Sequence, residues 1–223
     1  MFKKVMAAED LDTINFTLEQ VLKDLEIPEI DQVKYCDDAM IRMMKAKQEG
    51  HPFELLITDL SFKKGHRVNE SLKSGEALIE AAKRYQPDIK IIILSIEDRP
   101  YLIRNLFSDY EINGYVVKGR NSIVELKKAI QMISEGGDKF LSQEISHVLR
   151  DNSLQEIEPY DRQLLKEIAK GLTQKEIAVD FQSRGIIPGS ESSIEKRINK
   201  LKICLKANNN VHLIAIAKDL GLV

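Results

Sequence analysis

The sequence predicts an α/β domain built on a five-stranded, doubly wound parallel sheet, followed by a small all-α helix-turn-helix domain. In residues 1–136, short apolar runs alternate with stretches of helical periodicity, a pattern typical of a parallel sheet with helices on both faces. From residue 159 on, only helical periodicity occurs. The charge changes at the same place, from a net −6 over residues 1–158 to +4 over residues 159–223. We therefore predict domains at 1–136 and 159–223, joined by a linker at 137–158.

Apolar runs define the predicted strands, and stripes of apolar residues define the helices between them. The strands are predicted at Lys4–Ala8, Gln32–Tyr35, Phe53–Thr58, Ile89–Ser95 and Gly114–Val117. The helices are predicted at Leu11–Leu25, Asp37–Gln48, Ser74–Tyr85, Pro100–Tyr110 and Ser122–Glu135. The strands at Phe53–Thr58 and Ile89–Ser95 are the most continuously apolar, so we expect them in the centre of the sheet.

Gly136-Gly137 ends the fifth helix, and the linker holds one predicted helical piece at Ser142–Arg150. The second domain is predicted to consist of four helices, at Asp161–Lys170, Thr173–Phe181, Ser190–Leu205 and Val211–Leu220. Two features mark the turn between the first two of these helices. Gly171 supplies a left-handed helix end, and Thr173 with Glu176 forms a capping box.

Several classes of protein are excluded by composition. Apolar runs such as Ile91–Leu94 are far shorter than the ~20 residues that a membrane helix needs. The N-terminus lacks the apolar segment of a signal peptide. Cys36 and Cys204 lie far apart and match no zinc-binding spacing. We therefore expect a cytoplasmic protein with no membrane contact.

Polar residues follow four of the five predicted strands. Glu9 and Asp10 follow the first strand, and Asp59 follows the third. Ser95 ends the fourth strand, and Lys118 directly follows the fifth. Because ligands of doubly wound sheets bind at the carboxyl ends of the strands, these side chains are expected to meet there. Each one taken alone is more simply a cap, turn or surface residue, but their joint occurrence at four strand ends favours a site.

The residue types suit a phosphoryl group. Three converging carboxylates repel one another, and an oxygen-preferring cation such as Mg²⁺ relieves that repulsion. Asp59 is the expected nucleophile, which would form an aspartyl-phosphate. Lys118 and the cation would neutralise the phosphoryl oxygens, and the Ser95 hydroxyl would hold a third oxygen.

Residues 3–135 resemble the receiver domain of response regulators, the family of CheY. The matching pieces are Ala8-Glu9-Asp10, Leu56-Ile57-Thr58-Asp59, Ile93-Leu94-Ser95 and Gly114-Tyr115-Val116-Val117-Lys118. The resemblance implies that Asp59 is the phosphoacceptor and that Ser95, Lys118 and Tyr115 are switch residues. It also implies a Mg²⁺ site, with Asp10 and Asp59 as direct ligands, Glu9 acting through water, and the backbone carbonyl of Ser61 as a further ligand.

Two departures from the receiver pattern lie close to Asp59. The usual proline four residues after the phosphoacceptor is replaced by Lys63. The loop Leu60–Lys73 is several residues longer than usual, and it is either an inert solvated insertion or a mobile lid or partner contact.

The third helix of the second domain begins with small polar residues and continues with basic ones, as a helix that enters the DNA major groove does. A solvated amphipathic helix remains the alternative, because Glu191 and Glu195 also lie on it. Gly171–Ala178 and Ser190-x-x-Ser193-Ile194 resemble the LuxR/NarL-type helix-turn-helix domain, and the domain order resembles the NarL/FixJ response regulators. That resemblance implies a dimerisation helix at Val211–Leu220 and groove-facing candidates at Ser192, Ser193, Lys196, Arg197 and Lys200.

This half also departs from the family pattern. Residues 181–189 make the turn between the two motif helices about six residues longer than usual, and Glu195 stands where the family often has Lys. An acidic residue that faces phosphates weakens binding, so the domain either docks on DNA at a shifted angle or docks on protein.

Three functions follow, of which the first is favoured. It is a response regulator that a sensor histidine kinase phosphorylates on Asp59, and that then binds double-stranded DNA as a homodimer. The alternative is a protein-interaction regulator whose helical domain does not bind DNA. An Asp-nucleophile phosphohydrolase would need a second carboxylate two residues after Asp59, where Ser61 stands. We therefore do not expect an enzyme.

Overall fold

The computed structural model describes residues 1–63, 70–149 and 157–223. Parts of the long loop after Asp59 and of the predicted linker, residues 64–69 and 150–156, lie outside the described residues. The chain divides into two compact units. The first comprises Met1–Asp98 and Asn105–Ser146, and the second comprises Arg99–Arg104 and His147–Val223. The domain boundaries drawn from the sequence stay predictions.

The first unit contains one fully parallel sheet, which confirms the predicted fold class. Its strands are β1 (Lys4–Ala8), β2 (Glu29–Val33), β3 (Leu55–Thr58), β4 (Lys90–Ser95), β5 (Gly114–Val117) and β6 (Phe140–Leu141). They are arranged in the order β2-β1-β3-β4-β5-β6. As predicted, β3 and β4 are the two central strands, and every residue of β3 is buried.

The sheet has six strands where the sequence predicts five. The additional strand, β6, is only two residues long and pairs with β5. It is held in place by the buried Ser142, whose backbone N–H donates to the carbonyl of Tyr115 at 3.0 Å. The Ser142 hydroxyl also accepts a hydrogen bond from the N–H of Val117 at 3.0 Å. A two-residue strand carries too little periodicity to be recognised in a sequence.

The edge strand β2 is displaced from its predicted position. The sequence predicts it at Gln32–Tyr35, whereas the structure places it at Glu29–Val33. As an edge strand it is hydrogen-bonded to β1 alone, and Val33 is its one fully buried residue. A strand of this kind has no apolar run to mark its start.

Among the described residues of the first unit, five helices connect the strands, close to where the sequence predicts them. They are α1 (Asp12–Asp24), α2 (Cys36–Gln48), α3 (Gly75–Tyr85), α4 (Pro100–Asp109) and α5 (Ser122–Ser134). Helices α1 and α5 bury apolar stripes against β1, β3, β4 and β5 in one hydrophobic core. The predicted helical piece at Ser142–Arg150 corresponds to a 3₁₀ helix, Gln143–Leu149.

The remaining helices are α6 (Pro159–Ala169), α7 (Gln174–Ser183), α8 (Glu191–Cys204) and α9 (Asn210–Leu220). They share a second core that includes Leu164, Ile177, Phe181 and Ile194. The predicted capping box is present, because the Thr173 hydroxyl accepts from the N–H of Glu176 and the Glu176 carboxylate accepts from the N–H of Thr173. The hydrogen bonds that the Glu176 carboxylate accepts from the N–H and the hydroxyl of Thr173 lower the pKa of Glu176.

Within the described parts of the chain, no helix combines the length and the apolar character that crossing a bilayer requires.

Candidate functional site

The sheet order brings the first and third strand ends side by side. Strand β1 lies between β2 and β3, so the direction of winding reverses beside it, and ligands of such sheets bind at that point. Ala8 is paired with Thr58, and the N–H of Asp59 donates to the carbonyl of Ala8 at 3.1 Å. Glu9 and Asp59, the residues that follow this pair, therefore lie side by side at the carboxyl ends of β1 and β3.

Lys118 joins the two buried carboxylates. Its Nζ lies 2.7 Å from Glu9 Oε2 and 2.7 Å from Asp59 Oδ2. The side chains of Glu9 and Asp59 are only 1% and 7% exposed, and that of Lys118 is 12% exposed. The geometry therefore gathers the predicted nucleophile, one predicted metal ligand and the predicted lysine in one water-poor place.

The pKa values of this cluster follow from burial and charge. Burial raises the pKa of Glu9 above its ordinary value, and the hydrogen bond from Lys118 offsets only part of that rise. Burial alone would lower the pKa of Lys118, but the hydrogen bonds to Asp59 and Glu9 outweigh it and raise that pKa. Lys118 is therefore a fixed positive charge at neutral pH.

The acidic residues suit a divalent cation. Oxygen atoms of Glu9, Asp10 and Asp59 all lie within 4.8 Å of one another. Mg²⁺ takes oxygen ligands and is usually held by one or two carboxylates and several waters. This donor set fits Mg²⁺, with Asp10, which is half-buried, at the open side. Ser61 lies on the exposed loop two residues after Asp59, and its role as a carbonyl ligand stays a prediction.

Backbone and polar groups that the sequence analysis missed hold these carboxylates in place. The N–H of Leu60 donates to Asp59 Oδ1 at 2.6 Å, and the N–H of Lys63 donates to Asp10 Oδ2 at 2.8 Å. The buried Asn15 amide donates to the carbonyl of Glu9 at 2.6 Å. Asn15 is a polar residue on the buried face of α1, and that break in the apolar stripe was the one available signal.

Position 75, the first residue of α3, requires glycine because it packs closely against the segment that begins at Asp59. Its N–H donates to the carbonyl of Leu60 at 2.9 Å. A Cβ at this position would come within 1.9 Å of the carbonyl oxygen of Asp59. Any larger residue at position 75 would therefore displace the backbone of Asp59.

The two predicted switch residues Ser95 and Tyr115 are both fully buried. The Ser95 hydroxyl accepts from the N–H of Glu97 at 3.4 Å, and the Tyr115 hydroxyl donates to the carbonyl of Glu97 at 2.7 Å. Burial raises the pKa of Tyr115, so its phenol is neutral. Both side chains thus contact the same residue after β4, and their switch roles stay predictions.

In the second unit, α8 is the predicted recognition helix. Ser190 is its N-cap, and the Ser190 hydroxyl accepts from the N–H of Ser193 at 3.3 Å. Among the groove-facing candidates, Ser192, Lys196 and Lys200 are exposed, and Ser193 is half-buried with its hydroxyl 2.7 Å from that of Ser190.

Arg197 differs from the other candidates, because its guanidinium is used inside the domain. Its Nε and Nη2 bind the two oxygens of the fully buried Asp161 at 2.5 Å and 2.6 Å, and Nη2 also lies 3.1 Å from Glu158. The hydrogen bond to Asp161 raises the pKa of Arg197. A bidentate pair of this kind ties α8 to the start of α6. The groove-facing role of Arg197 stays a prediction, which this pairing does not favour.

Comparison with known proteins shows which proteins this chain resembles. No family model matches the sequence. The chain is nevertheless similar to curated relatives and solved structures of RcsB, which one solved structure describes as a two-component response regulator, and this confirms the predicted resemblance. The relatives include the transcriptional regulatory protein RcsB of Escherichia coli K12 and of Salmonella typhimurium. Both are 26% identical over 179 residues, which cover 78% of this chain and 77% of each relative.

Solved structures of RcsB share the fold over nearly the whole chain. One, of two RcsB dimers bound to two parallel DNAs, has a TM-score of 0.65 at 22% identity and covers 98% of both chains. Another, an RcsB–DNA complex, has a TM-score of 0.63 at 21% identity with the same coverage. The isolated receiver domain of RcsB from Salmonella enterica serovar Typhimurium, with the phosphomimetic BeF₃⁻, has a TM-score of 0.52 at 23% identity, covering 66% of this chain.

Proposed function

We propose that this chain is a cytoplasmic response regulator that a sensor histidine kinase phosphorylates on Asp59 and that regulates transcription by binding DNA as a dimer. The contact of Lys118 with both Glu9 and Asp59 is the observation that carries the proposal. An ammonium that bridges two buried carboxylates suits a site for added negative charge, because it neutralises that charge without solvent.

The proposed transfer uses the Asp59 carboxylate as the nucleophile. One Asp59 oxygen attacks the phosphorus of a phosphohistidine, a P–O bond forms, the P–N bond breaks, and the histidine nitrogen takes a proton. Lys118 stabilises the phosphoryl oxygens, and the N–H of Leu60 holds Asp59 Oδ1. Mg²⁺, when held by Glu9, Asp10 and Asp59, supplies further positive charge for those oxygens.

The switch that follows is a shift between two arrangements of one protein. The Ser95 hydroxyl exchanges its contact with Glu97 for a phosphoryl oxygen, and Tyr115 stays packed inward beside it. These movements favour a dimer-competent surface that the unphosphorylated protein populates less. Dimerisation, to which α9 contributes, then brings two α8 helices to half-sites about one DNA turn apart.

Acetyl phosphate tests the phosphorylation directly. Incubation with acetyl phosphate and Mg²⁺ is expected to add one phosphoryl group to the intact mass of the protein. The Asp59→Asn variant is expected to gain none, because an amide is not a nucleophile here. A wild-type protein that gains no mass, or a gain that survives Asp59→Asn, would refute the proposal.

Support for DNA as the target comes from the exposed basic residues of α8 and from RcsB, whose solved structures include complexes with DNA. Lys196 and Lys200 are the expected phosphate contacts, and Ser192 and Ser193 lie at the helix start where base contacts are made. Arg197 is left out of this set, because it binds Asp161.

A protein-interaction regulator remains the second candidate. Glu191 and Glu195 are exposed on α8, and the internal use of Arg197 leaves that helix less basic than its sequence indicates. A gel shift on genomic fragments, with and without beryllofluoride, separates the two. Binding that weakens as salt increases supports DNA as the target, since phosphate contacts release counterions. Absence of binding at low salt in both states favours a protein partner.

A further inference from the structure

One metal-site carboxylate is held by the loop that follows the phosphoacceptor. The backbone N–H of Lys63 donates to Asp10 Oδ2 at 2.8 Å, although the two residues lie 53 positions apart in the sequence. Only a residue with a backbone N–H can make this contact, and a proline at position 63 could not. The contact therefore depends on the departure from the receiver pattern noted above.

The same loop donates a backbone hydrogen bond to both Asp10 and Asp59. Each carboxylate accepts a backbone N–H on one oxygen, from Lys63 at Asp10 Oδ2 and from Leu60 at Asp59 Oδ1. Glu9 and Asp59 are held from the other side by Lys118, whereas Asp10 is held by the loop. The orientation of Asp10 is therefore set by position 63.

A hydrogen bond to one oxygen of a carboxylate leaves the other oxygen for a cation. Mg²⁺ binds carboxylates through single oxygens in a strict octahedral geometry, so a ligand that is already turned inward is favoured. Outer hydrogen bonds of this kind orient metal ligands, and their loss typically lowers metal affinity about 10- to 100-fold.

We propose that Lys63 is a positioning residue for Mg²⁺, acting through its backbone N–H on Asp10. The N–H keeps Oδ2 and turns Oδ1 toward the cation, and the Lys63 side chain has no part in this. The inference rests on the proposed function, since it assumes that the acidic cluster binds Mg²⁺.

Two substitutions at one position separate the N–H from the side chain. Lys63→Pro removes the N–H, and Lys63→Ala keeps it while removing the ammonium. Isothermal titration of the full chain with MgCl₂ is expected to show Mg²⁺ binding about 3- to 10-fold weaker in Lys63→Pro, below the usual range of such effects because the contact is solvent-exposed. Lys63→Ala is expected to bind Mg²⁺ within about 2-fold of wild type.

Equal Mg²⁺ affinities of the proline and alanine variants would overturn the inference while leaving the proposed function intact. Wild-type protein that binds no Mg²⁺ would overturn both.

Amide hydrogen exchange of the wild-type protein tests the same contact without a substitution. The Lys63 amide is expected to exchange more slowly when Mg²⁺ is present, because loading fixes the carboxylate to which it donates. The Ser71 amide is the control, since it donates to Asp37 Oδ2 at 2.8 Å in the same connection. It is expected to be unaffected by Mg²⁺. Faster exchange of Lys63 with Mg²⁺ would mean that the N–H competes with the cation, and would overturn the inference.

Discussion

Replacing Lys118 by methionine is expected to destabilise the first unit strongly, because it leaves two buried carboxylates without their cation. Lys118 Nζ contacts both Glu9 and Asp59 at 2.7 Å. Removal of one partner from a buried ion pair typically costs about 3–5 kcal/mol. We expect the lower end, a loss of about 3 kcal/mol in the free energy of unfolding near neutral pH, because Lys118 keeps 12% of its side-chain exposure and water can partly replace it.

The loss of stability in Lys118→Met should depend on pH. Burial already raises the pKa of Glu9, and removing Lys118 removes the group that opposes this rise most strongly. Glu9 in the variant therefore takes up a proton at higher pH than in wild type, and the buried negative charge is discharged. We expect the difference between variant and wild type to shrink as the pH falls from about 7 to about 5, where carboxylates with raised pKa values are protonated.

Lys127→Met is the matched control, because it removes the same kind of side chain from an exposed ion pair. Lys127 lies 2.6 Å from Asp24, with side chains 34% and 57% exposed. Exposed pairs contribute about 0–1 kcal/mol. Urea unfolding of the full chains, followed by far-ultraviolet circular dichroism, provides the comparison. If Lys118→Met were no less stable than Lys127→Met, or if its loss were the same at both pH values, the reasoning would be refuted.

Three further predictions concern other parts of the molecule. Glu9→Gln should stabilise the Mg²⁺-free protein by about 0.5–2 kcal/mol in urea unfolding and weaken Mg²⁺ binding in titration. Because the pKa of Glu9 is raised in the folded protein, the ionised Glu9 carboxylate lowers the stability of the fold at pH values above that pKa. The neutral amide of glutamine does not have this effect, and in wild type the effect disappears as the pH falls through the pKa of Glu9. A variant that is less stable than wild type would contradict this prediction. Ser142→Ala should cost about 1–3 kcal/mol, because it leaves the N–H of Val117 without its acceptor; an unchanged unfolding midpoint would count against it. The double variant Lys196→Ala, Lys200→Ala should bind DNA more weakly in gel-shift titrations at several salt concentrations. The slope of log affinity against log salt concentration should decrease by about two, one for each lost phosphate contact, and an unaltered slope would contradict this prediction.

The fold was largely predictable because the central strands are continuously apolar and each ends at a polar residue. Strands β1 and β5 begin and end where the sequence predicts. Predictions failed where burial is slight or the element is short. Strand β2 is an edge strand with one fully buried residue, and β6 has only two residues.

The candidate site was predictable for the same reason, since parallel strands bring their carboxyl ends to one edge. The contact of Lys118 with Glu9 spans 109 positions, yet both residues directly follow strands. A backbone donor such as the N–H of Lys63 cannot be recognised from the residue type, because every residue except proline has one. The absence of the usual proline at position 63 was the one indication in the sequence. The pairing of Arg197 with Asp161 was missed because charge on a helix does not reveal whether its partner is a phosphate or a carboxylate of the same domain.

A crystal structure of the protein with Mg²⁺ and beryllofluoride tests the central claim most directly. The account predicts the beryllofluoride bound to Asp59, with Lys118 Nζ and the Ser95 hydroxyl on its fluorines and Mg²⁺ held by Asp10 and Asp59. Lys118 turned away from Asp59, or a cation bound elsewhere with Asp59 unmodified, would contradict it.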